Sequence, residues 1–199
     1  VQHCVSYKTN IIPSSSREGF LSPKLFLRKL SASMDPDCIL VADVGQNQIW
    51  CANYFSIQKG RFLTSGGMGT MGYSIPAAIG AKMARPDLQV CAVCGDGSFQ
   101  MSLNELATIN QSGAHVKMVV MRNGRLGMVR ELQDKLYGGR HAATKLDGSP
   151  DFMLLAEAYG IPSLSIREDS QTEEAIQTML SADGPFLLQC IVHPDEPSL

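Results

Sequence analysis

Val90-Cys-Ala-Val-Cys-Gly-Asp-Gly-Ser98 and, further on, Val116-Lys-Met-Val-Val-Met-Arg-Asn-Gly124 decide the fold. Each is a short apolar run that stops abruptly at glycine beside a polar residue. Neither run alternates apolar with polar residues, which is the pattern of a strand buried on both faces. Between them, residues 103–112 put Leu103, Leu106, Ala107 and Ile109 on one face of a helix. Strand, helix, strand in that order is a parallel crossover unit.

The same grammar extends outward. Cys38 to Ala42 reads as a buried strand that ends at Asp43-Val-Gly-Gln. Gly60-Arg61 precedes a short Phe62-Leu63 run, then the glycine-rich turn Ser65-Gly-Gly-Met-Gly-Thr-Met-Gly72 and a small-residue helix from Tyr73 to Ala84, which Pro86 closes. Helices are expected at Pro23 to Leu30, Leu126 to Leu136, 151–159 and 171–181, and strands at Ser163 to Ile166 and Phe186 to Val192. The prediction is an α/β fold: a doubly wound, mostly parallel sheet with helices on both faces. In such sheets ligands bind at the carboxyl ends of the strands, where this sequence carries its glycines, aspartates and asparagine. Residues 1–22 read as a linker, 23–193 as the domain and 194–199 as a C-terminal tail.

Composition narrows the function classes. The chain has 199 residues, 44% of them hydrophobic, and a net charge of -2. It lacks the basic footprint of a nucleic-acid binder and any apolar run near the ~18 residues of a membrane span. Charged residues are 18%, below the usual ~25%, which suggests a surface partly covered by a partner or another domain. The six cysteines include a C-x-x-C pair, Cys91 and Cys94, but it sits inside an apolar run with no second pair for zinc. Buried, reduced thiols in a cytoplasmic protein are the expectation. The four histidines are scattered without metal-ligand spacing, and Trp50, Tyr54 and Phe55 suit either core or a subunit face.

Two motifs carry chemistry. Gly67-Met-Gly-Thr-Met-Gly72 matches G-x-G-x-x-G, and Asp96 could serve as a ribose acid, so an NAD-binding Rossmann domain is one reading. The bulky Met68 and Met71 stand where a pyrophosphate needs close backbone approach, which counts against it. The second motif is Gly95-Asp96-Gly97-Ser98 at one strand end and Asn123 at the next. Hard oxygen ligands from few side chains suit Mg²⁺, which also takes phosphate oxygens. Glycines there admit a diphosphate to backbone N–H groups. A plain pair of turns, Asp-Gly and Asn-Gly, is the competing structural reading.

Gly95-Asp96-Gly97 through Asn123 resembles the thiamine-diphosphate motif, which opens with GDG and closes with an asparagine. Asp43-Val-Gly-Gln-Asn-Gln-Ile-Trp50, Ser65 through Ala81, Leu126-Gly-Met-Val129, Tyr137-Gly-Gly-Arg140 and Pro150 through Ala158 are similar to the acetolactate (acetohydroxyacid) synthase large subunit, in its C-terminal, cofactor-binding domain. The resemblance implies Asp96, Asn123 and the Arg125 carbonyl as Mg²⁺ ligands. It implies Gly45, Gln46, Gly95, Gly97 and Ser98 around the diphosphate, with Gly127 and Met128 beside the cofactor and Met128 toward substrate. Met71 would be the wedge under the bent cofactor, and Gly69 would accept from its amino group.

The activity implied is decarboxylation of pyruvate and carboligation to a second 2-keto acid, in branched-chain amino acid biosynthesis. FAD would be bound by the full-length enzyme but not by this domain. A homodimer or homotetramer with active sites between subunits and a regulatory small subunit are also implied. The family's activating glutamate belongs to the N-terminal domain of a neighbouring subunit, so the chain is expected to be a fragment of a longer three-domain protein and inactive alone. Pyruvate oxidase, glyoxylate carboligase and a 2-keto acid decarboxylase are sister readings. Three positions depart from the family pattern: Arg122 for asparagine, Asn47 for histidine, and Leu132 for a tryptophan linked to 2-ketobutyrate preference and herbicide contact.

Overall fold

The computed structural model describes residues 17–199. Six strands form one sheet, β1 Ile39–Ala42, β2 Arg61–Thr64, β3 Val90–Gly95, β4 Lys117–Arg122, β5 Ser163–Ile166 and β6 Phe186–Ile191. Their order is β2-β1-β3-β4-β6-β5, and every pairing is parallel. The doubly wound α/β expectation is met. The helices are α1 Pro23–Ser33, α2 Gln46–Tyr54, α3 Ser74–Ala84, α4 Asp96–Gln100, α5 Glu105–Ser112, α6 Gly127–Tyr137, α7 Phe152–Ala158 and α8 Thr172–Ser181.

Strand residues alternate between two cores. Leu40, Ala42, Cys91, Val93, Val119 and Met121 face a layer built by Phe26, Leu27 and Leu30 of α1, Trp50 and Tyr54 of α2, and Ile176 and Met179 of α8. Val41, Ala92, Cys94, Met118 and Val120 face the other layer, with Ile75 and Ile79 of α3, Leu106 and Ile109 of α5, and Phe152 of α7. Because both faces are covered, β1 and β3 read as unbroken apolar runs, and β4 and β6 as apolar runs interrupted only by Lys117, Arg122 and Gln189. Trp50, Tyr54 and Phe55 therefore belong to the core. Cys91 and Cys94 point into opposite layers, cannot pair with each other, and are fully buried.

The edges of the domain are docked. Residues 1–16, most of the expected linker, lie outside the described part. Leu21 is buried and its N–H donates to the Ile191 carbonyl at the end of β6. Ser22 caps α1, accepting from the Leu25 N–H, and Pro23 takes the first helical position, where no N–H is needed. The tail expected at 194–199 is held as well. The Trp50 Nε1–H donates to the Pro197 carbonyl at 2.9 Å, and Glu131 accepts from both the N–H and the hydroxyl of Ser198, each at 2.7 Å. Glu196 pairs with Lys24 at 3.6 Å, both nearly buried.

Sheet order changes direction between β1 and β3: from β1 the chain moves outward to β2, and from β3 inward to β4. The carboxyl ends of these two strands flank a crevice, which is where open parallel sheets bind ligands.

Candidate functional site

A cleft of about 500 Å³ opens at that crevice. Its lining includes Gly45, Gln46, Met71, Gly95, Asp96, Gly97, Ser98, Asn123, Arg125, Gly127 and Met128, eleven of the twelve residues expected at the site. Gly69 is the exception. It lies on the exposed outer part of its turn, with a φ of +63° that glycine tolerates, and does not line the cleft. Val44, Asn47, Trp50, Met121, Leu126 and Val129 also line it. The residue reading did not place Trp50 or Leu126 there. Trp50 belongs to α2, a helix without a clear apolar period, and only the fold brings it back to the strand ends.

Asp96 follows β3 directly and is 1% exposed. Its Oδ1 accepts from the Gly97 N–H at 3.0 Å and its Oδ2 from the Gly124 N–H at 2.7 Å, so the carboxylate ties the ends of β3 and β4 together. Burial pushes its pKa up from 3.8 to about 6. The Gly124 and Gly97 amides and the Arg122 charge oppose that rise only in part. The Gly97 N–H, expected to face a diphosphate, is turned to Asp96 because a buried carboxylate takes the nearest donors. Ser98 exchanges hydrogen bonds with Gly95 at 3.1 Å, accepting from its N–H and donating to its carbonyl.

Asn123 closes the far wall. Its Nδ2 donates to Gln46 Oε1 at 2.9 Å, and its Oδ1 accepts from the Arg125 N–H at 3.0 Å. Gln46 in turn donates to Glu131 Oε1 at 2.9 Å and to the Glu196 carbonyl at 2.8 Å. Asn123, Gln46, Glu131 and the 194–199 segment form one hydrogen-bonded chain. Gly127 is glycine for a steric reason. A Cβ there would lie 1.8 Å from Gln46 Oε1 and 3.1 Å from Asn123 Nδ2. Gly97 is similarly confined, since a Cβ would come within 2.7 Å of Leu126 and 3.5 Å of the Met71 methyl. Met71 therefore reaches across toward the GDG turn, whereas Met68 is 90% exposed.

The three departures have separate placements. Arg122 leans away from the cleft, over the Phe152 ring at 4.9 Å and onto Gln189 Oε1 at 3.0 Å. Buried Asn47 donates to the Asp43 and Val93 carbonyls and so braces β1 against β3. Leu132 is half exposed on α6, whose Val129, Leu136 and Tyr137 are also open to solvent.

The donor set fits a hard cation with a diphosphate. Asp96 and Asn123 offer oxygens, and no sulfur or imidazole lines the cleft apart from methionine thioethers. No group of three or more acidic, histidine or cysteine side chains that could hold a metal exists among the described residues. A cation at Asp96 would thus need backbone or ligand oxygens to complete its shell. Glycine at 95, 97 and 127 keeps the backbone bare where the Asn47, Leu126 and Gln46 side chains lie against it.

Comparison with known proteins agrees with this geometry. Residues 43–190 match the thiamine pyrophosphate enzyme, C-terminal TPP binding domain. The chain is 44% identical over 165 residues to the acetolactate synthase isozyme 2 large subunit of Escherichia coli, covering 82% of this chain and 30% of that protein. It is 38% identical over 201 residues to the probable acetolactate synthase large subunit of Methanococcus aeolicus (98% and 34%), and 41% over 196 residues to the acetolactate synthase of Mycobacterium leprae (96% and 31%). It spans about a third of the length of these relatives. With the family matched from β1's end into β6, and the GDG turn and asparagine converging on one cleft, the chain belongs to the thiamine pyrophosphate enzymes as a C-terminal TPP-binding domain.

Proposed function

We propose that this chain is the cofactor domain of an acetolactate synthase, acting on pyruvate and a second 2-keto acid. The observation that carries it is that Asp96 and Asn123, from the ends of adjacent strands, line one cleft. The relatives' names favour the synthase over pyruvate oxidase, glyoxylate carboligase and decarboxylase readings. They also leave the NAD reading without support, and Met71, awkward for a dinucleotide loop, finds a place as a cleft wall.

In this reading Asp96 and Asn123 would hold Mg²⁺ through side-chain oxygens, with the Arg125 carbonyl as a third protein donor. The bound thiamine diphosphate supplies the electron sink for decarboxylation and carbon–carbon bond formation. The chain's own work is placement. The Gly45–Gln46 turn and Ser98 would receive the diphosphate, Met71 would support the rings, Met128 and Trp50 would exclude water, and Gln46 fixes which way the Asn123 amide points. FAD is assigned to no residue here. An assembly with active sites between subunits is favoured by the apolar side chains that α6 leaves open, and a small regulatory subunit by the relatives described as large subunits. The five described cysteines are all unpaired, which favours a reducing, cytoplasmic compartment. No helix of the described residues is long and apolar enough to cross a membrane.

Thermal denaturation with Mg²⁺ and thiamine diphosphate tests the proposal. Ligand at 100 times its Kd adds about 2.7 kcal/mol, or roughly 5–10 °C at this chain length. A Mg²⁺-dependent rise, absent in Asp96→Ala, is expected. A rise with NAD instead, or one that survives Asp96→Ala, refutes it.

A further inference from the structure

Asp43 stands outside the motif that carries the proposed metal, yet it is fully buried. It ends β1 beside the crevice. Its Oδ1 accepts from the Val44 N–H at 2.9 Å and from the Gly72 N–H at 3.0 Å, and its Oδ2 accepts from the Ser74 N–H at 2.8 Å. Two of these donors belong to another element. Gly72 closes the turn that carries Met71, and Ser74 opens α3. A carboxylate at a helix N-terminus is favourably placed, and charge-assisted bonds are the stronger kind. The rest of the turn is loosely kept. Gly66, Gly67, Met68 and Gly69 are exposed, and its inner bonds run from the Gly69 and Thr70 N–H groups to Ser65. Gly72 has a φ of +84°, and a Cβ there would meet Met101 at 3.1 Å. The turn is thus pinned at Gly72, one residue from Met71, between Asp43 on one side and Met101 on the other.

Two residues beyond Asp43, Gly45 and Gln46 form the opposite lip of the cleft. One side chain therefore ties both lips to the same strand end. We propose that Asp43 is a positioning residue: it holds Met71 at a fixed height beside the GDG turn, and so sets affinity for the organic rings of the cofactor more than for its diphosphate. This rests on the thiamine-diphosphate reading above.

The split between two ligands tests it. Calorimetry on the 199-residue chain would measure Kd for inorganic diphosphate and for thiamine diphosphate, each with Mg²⁺, with Trp50 fluorescence as a second readout. Wild type should bind thiamine diphosphate the more tightly. Asp43→Asn puts an amide NH₂ against the Ser74 N–H. Its loss of a charge-assisted bond should weaken thiamine diphosphate about ten- to a hundredfold. Inorganic diphosphate, held with Mg²⁺ at Asp96 and Asn123 and by the Gly45–Gln46 turn, should weaken by only a few-fold, because the Asp43 side chain takes two N–H groups from the Met71 turn and α3 and one, from Val44, on its own lip. Gly72→Ala leaves the carboxylate in place but shifts the same turn, and should reproduce the split. An equal loss for both ligands, in a variant still folded by circular dichroism, makes Asp43 a fold determinant only and overturns the inference. So do unchanged affinities in both variants. Wild type binding diphosphate no more weakly than thiamine diphosphate overturns the inference but leaves the diphosphate site standing, and wild type binding neither overturns the cofactor reading itself.

Discussion

Asp96→Asn tests the site through stability alone, before any ligand is added. Burial raises the Asp96 pKa from 3.8 to about 6. A carboxyl group with a raised folded pKa holds its proton more tightly in the folded chain than in the unfolded one. Ionisation therefore removes stability as the pH climbs from about 4 to about 6, and above that the loss is complete. Two pH units at about 1.4 kcal/mol each come to about 3 kcal/mol. Asparagine does not titrate. It also leaves either the Gly97 or the Gly124 N–H facing an NH₂, a penalty that is the same at every pH. The measure is thus the change in the Tm difference, variant minus wild type, across pH in the presence of a chelator. That difference should grow by about 6–12 °C between pH 4 and pH 7. Adding Mg²⁺ and thiamine diphosphate at pH 7 should then raise the wild-type Tm and leave the variant's in place. A Tm difference independent of pH would show that the Asp96 carboxylate is solvated, and the argument for a desolvated cation site at the end of β3 would fall.

Two further outcomes follow from the packing. Gly127→Ala should displace the Gln46 amide, since the new Cβ needs the space of Oε1; with bonds to Asn123, Glu131 and Glu196 disturbed, chemical denaturation should show a loss of about 1–3 kcal/mol, and an unchanged midpoint would mean that Gln46 is free to move. Cys38, Cys51, Cys91, Cys94 and Cys190 are buried, with thiol pKa values raised by burial, to about 12 for Cys91; all five should resist a thiolate-selective reagent until the chain unfolds, and rapid native labelling of any of them would contradict the packing.

The sheet was legible because its central strands are buried on both sides and so appear as plain apolar runs. The helices that carry a clear apolar face, such as α5, were legible too. α2 was not. Gln46, Asn47, Gln48 and Asn53 give it no apolar stripe, and it is held through Trp50, Cys51 and Tyr54 against α1 and the sheet. Nor was α4, whose five residues are too few to show a period and include Gly97. At the site, the contacts that sequence spacing makes legible are those within local turns, such as Asp96 with Gly97 and Ser98 with Gly95. What escaped was the long-range wiring: Gln46 to Asn123, Glu131 to Ser198, and Trp50 to Pro197. Such pairs leave no mark in spacing, because only the strand order makes them neighbours. Gly69, expected beside the cofactor, is carried to the exposed outer part of its turn and does not line the cleft.

Asp43 and Asp96 show where sequence reading reaches its limit. Both are lone acids that end an apolar strand, β1 and β3, and these strands are adjacent in the sheet. Both are buried, and neither faces a lysine or arginine in an ion pair among the described residues. As acids at the ends of buried strands they look alike, and only the Gly95-Asp96-Gly97 motif sets Asp96 apart. Their surroundings differ. Asp43 receives three N–H donors, two of them from the turn and helix that follow β2, so its charge is already spent on holding protein to protein. Asp96 receives two, both from glycines, and lines a cleft that Gln46, Asn47, Ser98 and Asn123 also line. A buried carboxylate with its donors supplied is a fastener, and one that still borders a cavity beside an amide oxygen, as Asp96 does, is the one proposed to hold a cation. The difference lies in which strand each loop crosses to, and that is a property of the sheet order β2-β1-β3-β4, not of either residue's neighbours in the chain.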